Sequence, residues 1–150
     1  MTNKLPKSLS QLCDIALDAT GDMIVGTNGD FQLVYGIDAF QQEILFRLKT
    51  HIGDYILQPQ CGASLDSLVG LPNSPNTGSI AEGLITQALT HDGLMNSCNI
   101  TVNSFPQSAN ILCIMIQINL ANIFTNDNFT NIGSILSLSF NVDLQQGLLL

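Results

Sequence analysis

In this chain of 150 residues, the side chains able to do chemistry are two glutamates, ten aspartates, two histidines, four cysteines and a scatter of serines. Glycoside hydrolysis needs two carboxyl groups facing each other about 5 to 9.5 Å apart. Glu43 and Glu82 each fall inside a segment of helical period, and Glu82, three residues after Ser79, reads as part of a capping box. One helix carboxylate beside scattered aspartates supplies no pair, so no catalytic residue and no enzyme is expected. His51 and His91 fall at the ends of predicted helices, where a cation complements the dipole. No serine stands in a G-x-S-x-G elbow, and Asp14, Asp18, Asp22 and Asp30 belong to hairpin turns, not to a calcium loop. Cys13, Cys61, Cys98 and Cys113 are 48, 37 and 15 residues apart, with no C-x-x-C ligand pair. They are expected to be unpaired thiols filling the core, with no metal and no cofactor bound.

Charge narrows the partners. Only 11% of residues are charged, against about 25% in ordinary domains, and fourteen Asn and eleven Gln supply the polar surface instead. Such a surface desolvates at low cost and suits permanent contact with other subunits, although a compositional bias of the lineage explains it equally well. The net charge is -8, and Lys4, Lys7, Arg47 and Lys49 form no cluster that could neutralise phosphates, so nucleic acid is not expected as a partner. The longest apolar run, Ile111 to Ile116, is far short of the roughly 20 residues of a spanning helix. The first residues, MTNKLPKSLSQL, lack the apolar stretch of a secretory signal, and no membrane partner is expected.

Hydrophobic residues make up 45%, enough for one domain with a packed core. Residues 1–12 carry no period and are expected to be an exposed arm, with a single domain over 13–150. Alternation through Ile15 and Leu17, through Met23 to Val25 and through Phe31, Leu33 and Tyr35, broken at Thr20-Gly21 and Asn28-Gly29, predicts a small β-meander. No internal repeat is read in it. Ile37, Phe40, Ile44, Leu45 and Leu48 then fall at helical offsets, with Asp38 and Gln41 as a capping box and Gly53 as the left-handed cap. Residues 64–69 read as a helical turn and residues 70–78 as a loop. Ile80, Leu84, Ile85, Ala88 and Leu89 stripe a second helix ending at Asp92-Gly93. Period two returns at Ile100 and Val102, in the run from Ile111 to Leu120, and most cleanly from Leu136 to Leu144 after an Asn-rich loop. The expected fold class is α+β: an antiparallel sheet with two or three helices on one face and an N-terminal hairpin or meander.

The segment from Leu48 to Leu65 resembles the sheath-initiator family of contractile phage tails, small baseplate wedge proteins with counterparts in type VI secretion and other contractile injection systems. In that family a helix ends in Leu-x-Thr-x-x-Gly-Glu, and an extended stretch then reaches an acidic-Pro-charged-x-Gly motif. Leu48, Thr50, Gly53, Asp54, Pro59, Gly62 and Leu65 occupy those places. Asp14, Leu17, Thr20, Gly21 and Asp22 resemble the family's N-terminal hairpin. Gln58 and Gln60 stand where the family has charges, so a contact made there would be a neutral hydrogen bond. Each residue also has a local explanation as turn chemistry.

The resemblance implies a structural protein of the virion tail baseplate, assembled in the host cytoplasm. Its partners would be baseplate wedge proteins and the tail sheath protein, with the tail tube as a further neighbour. It implies a wedge contact through Gly53, Asp54, Gln58, Pro59, Gln60 and Gly62 in an extended linker. A sheath arm would add as a strand along Leu136, Leu138, Ser139, Phe140, Val142 and Leu144, unless that strand is interior to the sheet. Some members of the family are called lysozymes, so a peptidoglycan hydrolase is the enzyme alternative. A free-standing adaptor domain is the third.

Overall fold

From Asp14 the chain repeats every eight residues, contrary to the expectation that it has no repeat: DIALDATG, DMIVGTNG and DFQLVYGI align with Asp first and apolar residues second and fourth. The reason is visible in the computed structural model, which describes residues 8–91, 94–124 and 134–149. Strands β1 (Cys13–Ile15) and β2 (Leu33–Tyr35) pair antiparallel, and single bridges join Leu17 to Met23 and Val25 to Phe31. Residues 16, 24 and 32, eight apart, form a closed cycle. Ile24 N donates to Ala16 O, Gln32 N to Ile24 O and Ala16 N to Gln32 O, each at 2.9 Å. The meander is therefore a ring in which each segment bonds both others. Its two turns are copies: Asp18 N bonds Asp22 O and Gly21 N bonds Asp18 O, as Gly26 N bonds Asp30 O and Gly29 N bonds Gly26 O. Gly21 and Gly29 take the left-handed conformation that this turn requires.

Helix α1 (Gly36–Lys49) follows directly, one turn earlier than a capping box at Asp38 and Gln41 would place it; Tyr35 is its N-cap and makes no side-chain cap bond. Gln42 ties the helix to the ring, accepting from Leu17 N at 2.9 Å and donating to Ile15 O at 2.8 Å and Asp14 Oδ2 at 3.0 Å. Helix α2 (Pro75–Thr90) also starts early, because Pro at N1 is preset for a helix and Ser74 caps it by accepting from Thr77 N. The expected loop over 70–78 thus loses its last residues to the helix. Ser79 lies within it and bonds back to Pro75 O, and Glu82 is not a cap. The expected end of this helix at Asp92-Gly93, residues 1–7 of the arm and most of the Asn-rich loop lie outside the described residues. The described end of the arm is a 3-10 turn, Leu9–Gln11, whose Leu9 is buried in the core.

The main sheet runs β3 (Ile100–Pro106), β4 (Ile111–Asn119), β5 (Ile135–Asp143) and β6 (Gly147–Leu149), antiparallel in that spatial order. Together with α1 and α2 this is an α+β domain, as the sequence pattern indicates. β6 was not anticipated, and neither was α3 (Leu120–Ile123), a single turn that ends the apolar run. Leu112, Ile114, Ile116 and Ile118 of β4 and Leu136, Phe140 and Val142 of β5 point to one face. There they meet Phe40, Ile44 and Leu48 of α1 and Ile85 and Leu89 of α2. Phe40 packs edge-on against Phe124 with ring centres 5.3 Å apart.

Two glycines of α2 predict opposite responses. Gly83 is exposed, with nothing within 4 Å of a Cβ placed there, so Gly83→Ala should raise stability by about 0.5–1 kcal/mol. At Gly78 a Cβ would overlap Ser104 Oγ, which cannot turn away without losing its 2.8 Å bond to Glu82. Gly78→Ala should therefore lower stability by about 1–3 kcal/mol. Denaturant titration checks both signs.

Candidate functional site

The two sides of the main sheet are finished differently. In β4 and β5, Leu144 N donates to Asn110 O and Leu120 N to Ser134 O, so even-numbered residues carry the bonds between these strands. The odd-numbered residues of β5 present their N–H and C=O groups to the other side. There β6 pairs only with Asn141, Val142 and Asp143. The backbone of Ile135, Ser137 and Ser139 thus faces outward, without a strand partner among the described residues. By the same alternation the outward groups of β3 belong to Ile100, Val102, Ser104 and Pro106. Here Glu82 Oε1 accepts from Ser104 N at 2.7 Å, and Pro106 has no N–H. The outer row of β3 is interrupted at Ser104 and Pro106, with Ile100 and Val102 facing out, while among the described residues the outer side of β5 is open from Ile135 to Ser139.

Of the residues assigned to β5 from the sequence, Leu136, Phe140, Val142 and Leu144 are buried and Leu138 is half-buried in this domain's own core. Ser139 lies on the opposite, exposed face. What β5 offers a partner is therefore backbone, with the side chains of Ile135, Ser137 and Ser139 beside it.

The second set, Gly53, Asp54, Gln58, Pro59, Gln60 and Gly62, comes together in one loop, but not as an extended linker. The chain leaves α1 and returns to it: Ala63 N donates to Arg47 O at 3.0 Å and Thr50 O at 3.1 Å, and Ser64 N donates to Thr50 O at 3.3 Å. The returning chain bonds carbonyls at the helix end, so residues 51–62 form a closed loop. Gly53 is not the helix cap, since the helix ends at Lys49; its N–H closes the loop on Pro59 O at 2.9 Å. Pro59 follows Gln58 in a turn closed by Cys61 N on Gln58 O, the position for which its fixed φ is suited. Gly62, at φ 130, passes so close to the Thr50 carbonyl that no side chain fits. Ser64 holds a left-handed φ of 49, while its Oγ accepts from Ile52 N at 2.9 Å.

Beneath this loop lies Arg47, whose place in the last turns of the helix suggests only a cation facing the carbonyl end of the dipole. Arg47 is 1% exposed; its Nε donates to Glu43 Oε1 at 2.7 Å and its Nη1 to Ala88 O of α2 at 3.3 Å. Its place in the Ile44–Leu48 stripe, four residues after Glu43, was the available signal. Arg47, Gln58, Pro59, Gln60, Cys61, Ala88 and His91 border a groove of about 240 Å³. At the loop tip Ile56 and Leu57 are 87% and 79% exposed, and Tyr55 packs edge-on against Phe46. Sequence reasoning passed over this apolar tip, although two adjacent aliphatics between Gly53 and Pro59 mark it. Among the cysteines only Cys61 is buried; Cys13 and Cys98 are exposed and Cys113 is half-buried, so core filling describes one of four.

The carboxylates are committed singly, Glu43 to Arg47 and Glu82 to Ser104. His51 does more than answer a dipole, because its Nδ1 lies 2.8 Å and 3.0 Å from the two oxygens of Asp66. That hydrogen bond, then the charge of Asp66, with a smaller push from Asp54, raises the imidazole above its ordinary 6.5 against the opposing effect of desolvation.

No family model matches the chain, and no curated protein matches it in sequence. Among solved structures it is similar to a protein of Geobacter sulfurreducens described as a "putative tail lysozyme", with 18% identity and a TM-score of 0.54 over 83% of this chain and 98% of that one. At that identity the likeness shows a shared fold. It also corrects the expectation, drawn from the missing carboxylate pair, that the protein is no enzyme: the neighbour with this fold bears an enzyme's name.

For His51 the sign of the pH effect is fixed. A value raised in the folded state means that the pair with Asp66 stabilises fully below about 6.5 and that this contribution is lost as pH rises through the raised value. An NMR titration should place His51 above 6.5, and Asp66→Asn should bring it back down; a titration unchanged by Asp66→Asn contradicts the pair.

Proposed function

We propose that the protein is a baseplate component of a contractile phage tail, in which the open side of β5 templates the first ring of sheath by accepting an extended arm as an added strand. The observation that carries this is the asymmetry of the sheet. An unpaired strand edge invites aggregation, and this domain interrupts the β3 edge at Ser104 and Pro106, whereas among the described residues Ile135, Ser137 and Ser139 leave an unbroken outward row on β5. Strand addition supplies main-chain hydrogen bonds for affinity, and the buried alternate face holds the register. The resemblance of the Leu48–Leu65 segment to sheath initiators and the shared fold of a protein named for a phage tail support the same setting.

The loop over 51–62 would then meet the wedge proteins. Gln58 and Gln60 contact neighbouring backbone without the desolvation of a charge, and Ile56 and Leu57 supply apolar contact area. The competing reading, cell-wall hydrolysis, draws on the neighbour's name.

Two proline variants test the edge. Ser139→Pro removes an N–H that faces outward beyond β6, so the domain should fold and fail to nucleate sheath in a reconstituted baseplate. Leu138→Pro removes a donor bonded to β4 and should unfold it, by about 3 kcal/mol or more. A folded Ser139→Pro protein that still nucleates sheath removes β5 from the mechanism. Clearing of a peptidoglycan suspension by the wild-type protein, abolished in Glu43→Gln or Glu82→Gln, decides for the hydrolase.

A further inference from the structure

The N-terminal ring carries an apolar face that the proposed sheath and wedge contacts do not use. Met23, Val25, Phe31, Leu33 and Tyr35 are 48% to 58% exposed. The pairings Leu17 with Met23, Val25 with Phe31, Ile15 with Leu33 and Cys13 with Tyr35 put these side chains on the same side of their segments. Five large apolar side chains half in water within 13 residues form the kind of patch that marks an interaction site.

The charged residues of the ring itself are all acidic. Asp14, Asp18, Asp22 and Asp30 are exposed on the ring, and between Lys7 and Arg47 the sequence has no lysine or arginine. Arg47 is turned inward to Glu43. Asp18 keeps its charge, because Thr20 Oγ1, Thr20 N and Asp22 N all donate to its Oδ1 and hold it below the usual carboxylate range. Beside the ring a groove of about 420 Å³ against α1 has Leu17, Val34, Leu45 and Phe46 among its apolar lining, Asp18 and Asp38 as its acids, and Lys49 as its one cation among the described residues.

We propose that the outward face of the ring is a docking surface for a segment of another protein in which apolar side chains are flanked by lysines or arginines. The apolar face needs apolar cover, and its acidic surroundings select the sign of the flanks. Four carboxylates repel a phosphate backbone and an anionic lipid surface alike, which leaves a polypeptide as the occupant. The octad repeat gives the surface its form, since Asp14 and Asp30 stand at the same repeat position and each accepts from the next residue's N–H at 2.8 Å.

The test is a photocrosslink in the cells that make the protein, with p-benzoylphenylalanine in place of Phe31 in the full chain and the crosslinked peptide sequenced by mass spectrometry. The expected product joins Phe31 to a segment of a different protein that has lysine or arginine next to apolar residues. Its yield should fall several-fold when Asp22→Asn and Asp30→Asn are added, and likewise when salt is raised from about 0.15 M to about 1 M before irradiation. Crosslinks to a second copy of this chain, to its own residues 1–7, to lipid or to a segment without cations overturn the proposal, as do the absence of any crosslink and a yield indifferent to the aspartates. Whether the protein is found in purified tails is scored separately, so failure of the tail reading and failure of this surface are distinguishable.

Discussion

A guanidinium held out of water sets the geometry of the helical side of this domain. An unpaired buried charge costs several kcal/mol, so Arg47 is tenable only where partners meet it. Glu43 lies one turn back on the same helix, Ala88 O belongs to α2, and Arg47's own carbonyl receives Ala63 N from the chain returning out of the loop. The crossing of the two helices and the closure of residues 51–62 are therefore linked, and Gln58 to Cys61 line a groove beside the same side chain. A change in that loop would be felt at the helix pair, and the reverse.

The sheet answers a different constraint. Every backbone donor must find an acceptor or water, and an exposed row of them recruits other strands. On the β3 side the carboxylate of Glu82 takes the Ser104 donor and Pro106 has none to offer, which interrupts the row and leaves Ile100 and Val102 facing out. On the β5 side the pairing among the described residues reaches Asn141, opposite Leu149 of β6. In the proposed tail setting a partner's strand completes that row, and the same logic relates the ring's exposed apolar face to a partner's side chains.

The sequence was legible where one periodicity ruled a segment. The alternation from Leu136 to Leu144 and the stripe of Ile37, Phe40, Ile44 and Leu48 each have one reading, and the α+β class followed from their order. It was less legible where residues serve partners distant in sequence. Glu82 has the spacing of a cap, but its acceptor role is set by Ser104, 22 residues away, and Arg47 looks like a dipole-facing cation until α2 is packed beside it. The octad ring is hard to read because only the first two of its three copies share the turn, and its signature is a cycle of backbone bonds that leaves no fixed residue at positions 16, 24 and 32. Gly53, Asp54, Gln58, Pro59, Gln60 and Gly62 do fall in one loop, but Pro59 favours extended chain and turn alike, and only the return of Ala63 to the helix end decides between them.

The central claim is that the outer row of β5 is open in the free protein and filled in the tail. Amide hydrogen exchange reads that row residue by residue. The account predicts that the Ser137 and Ser139 amides exchange rapidly in the isolated protein, while Leu136, Leu138 and Ser104 exchange slowly, and that Ser137 and Ser139 become protected when the protein is incorporated into assembled tails. Slow exchange at Ser137 and Ser139 in the isolated protein, or rapid exchange that persists in the tail, would contradict it.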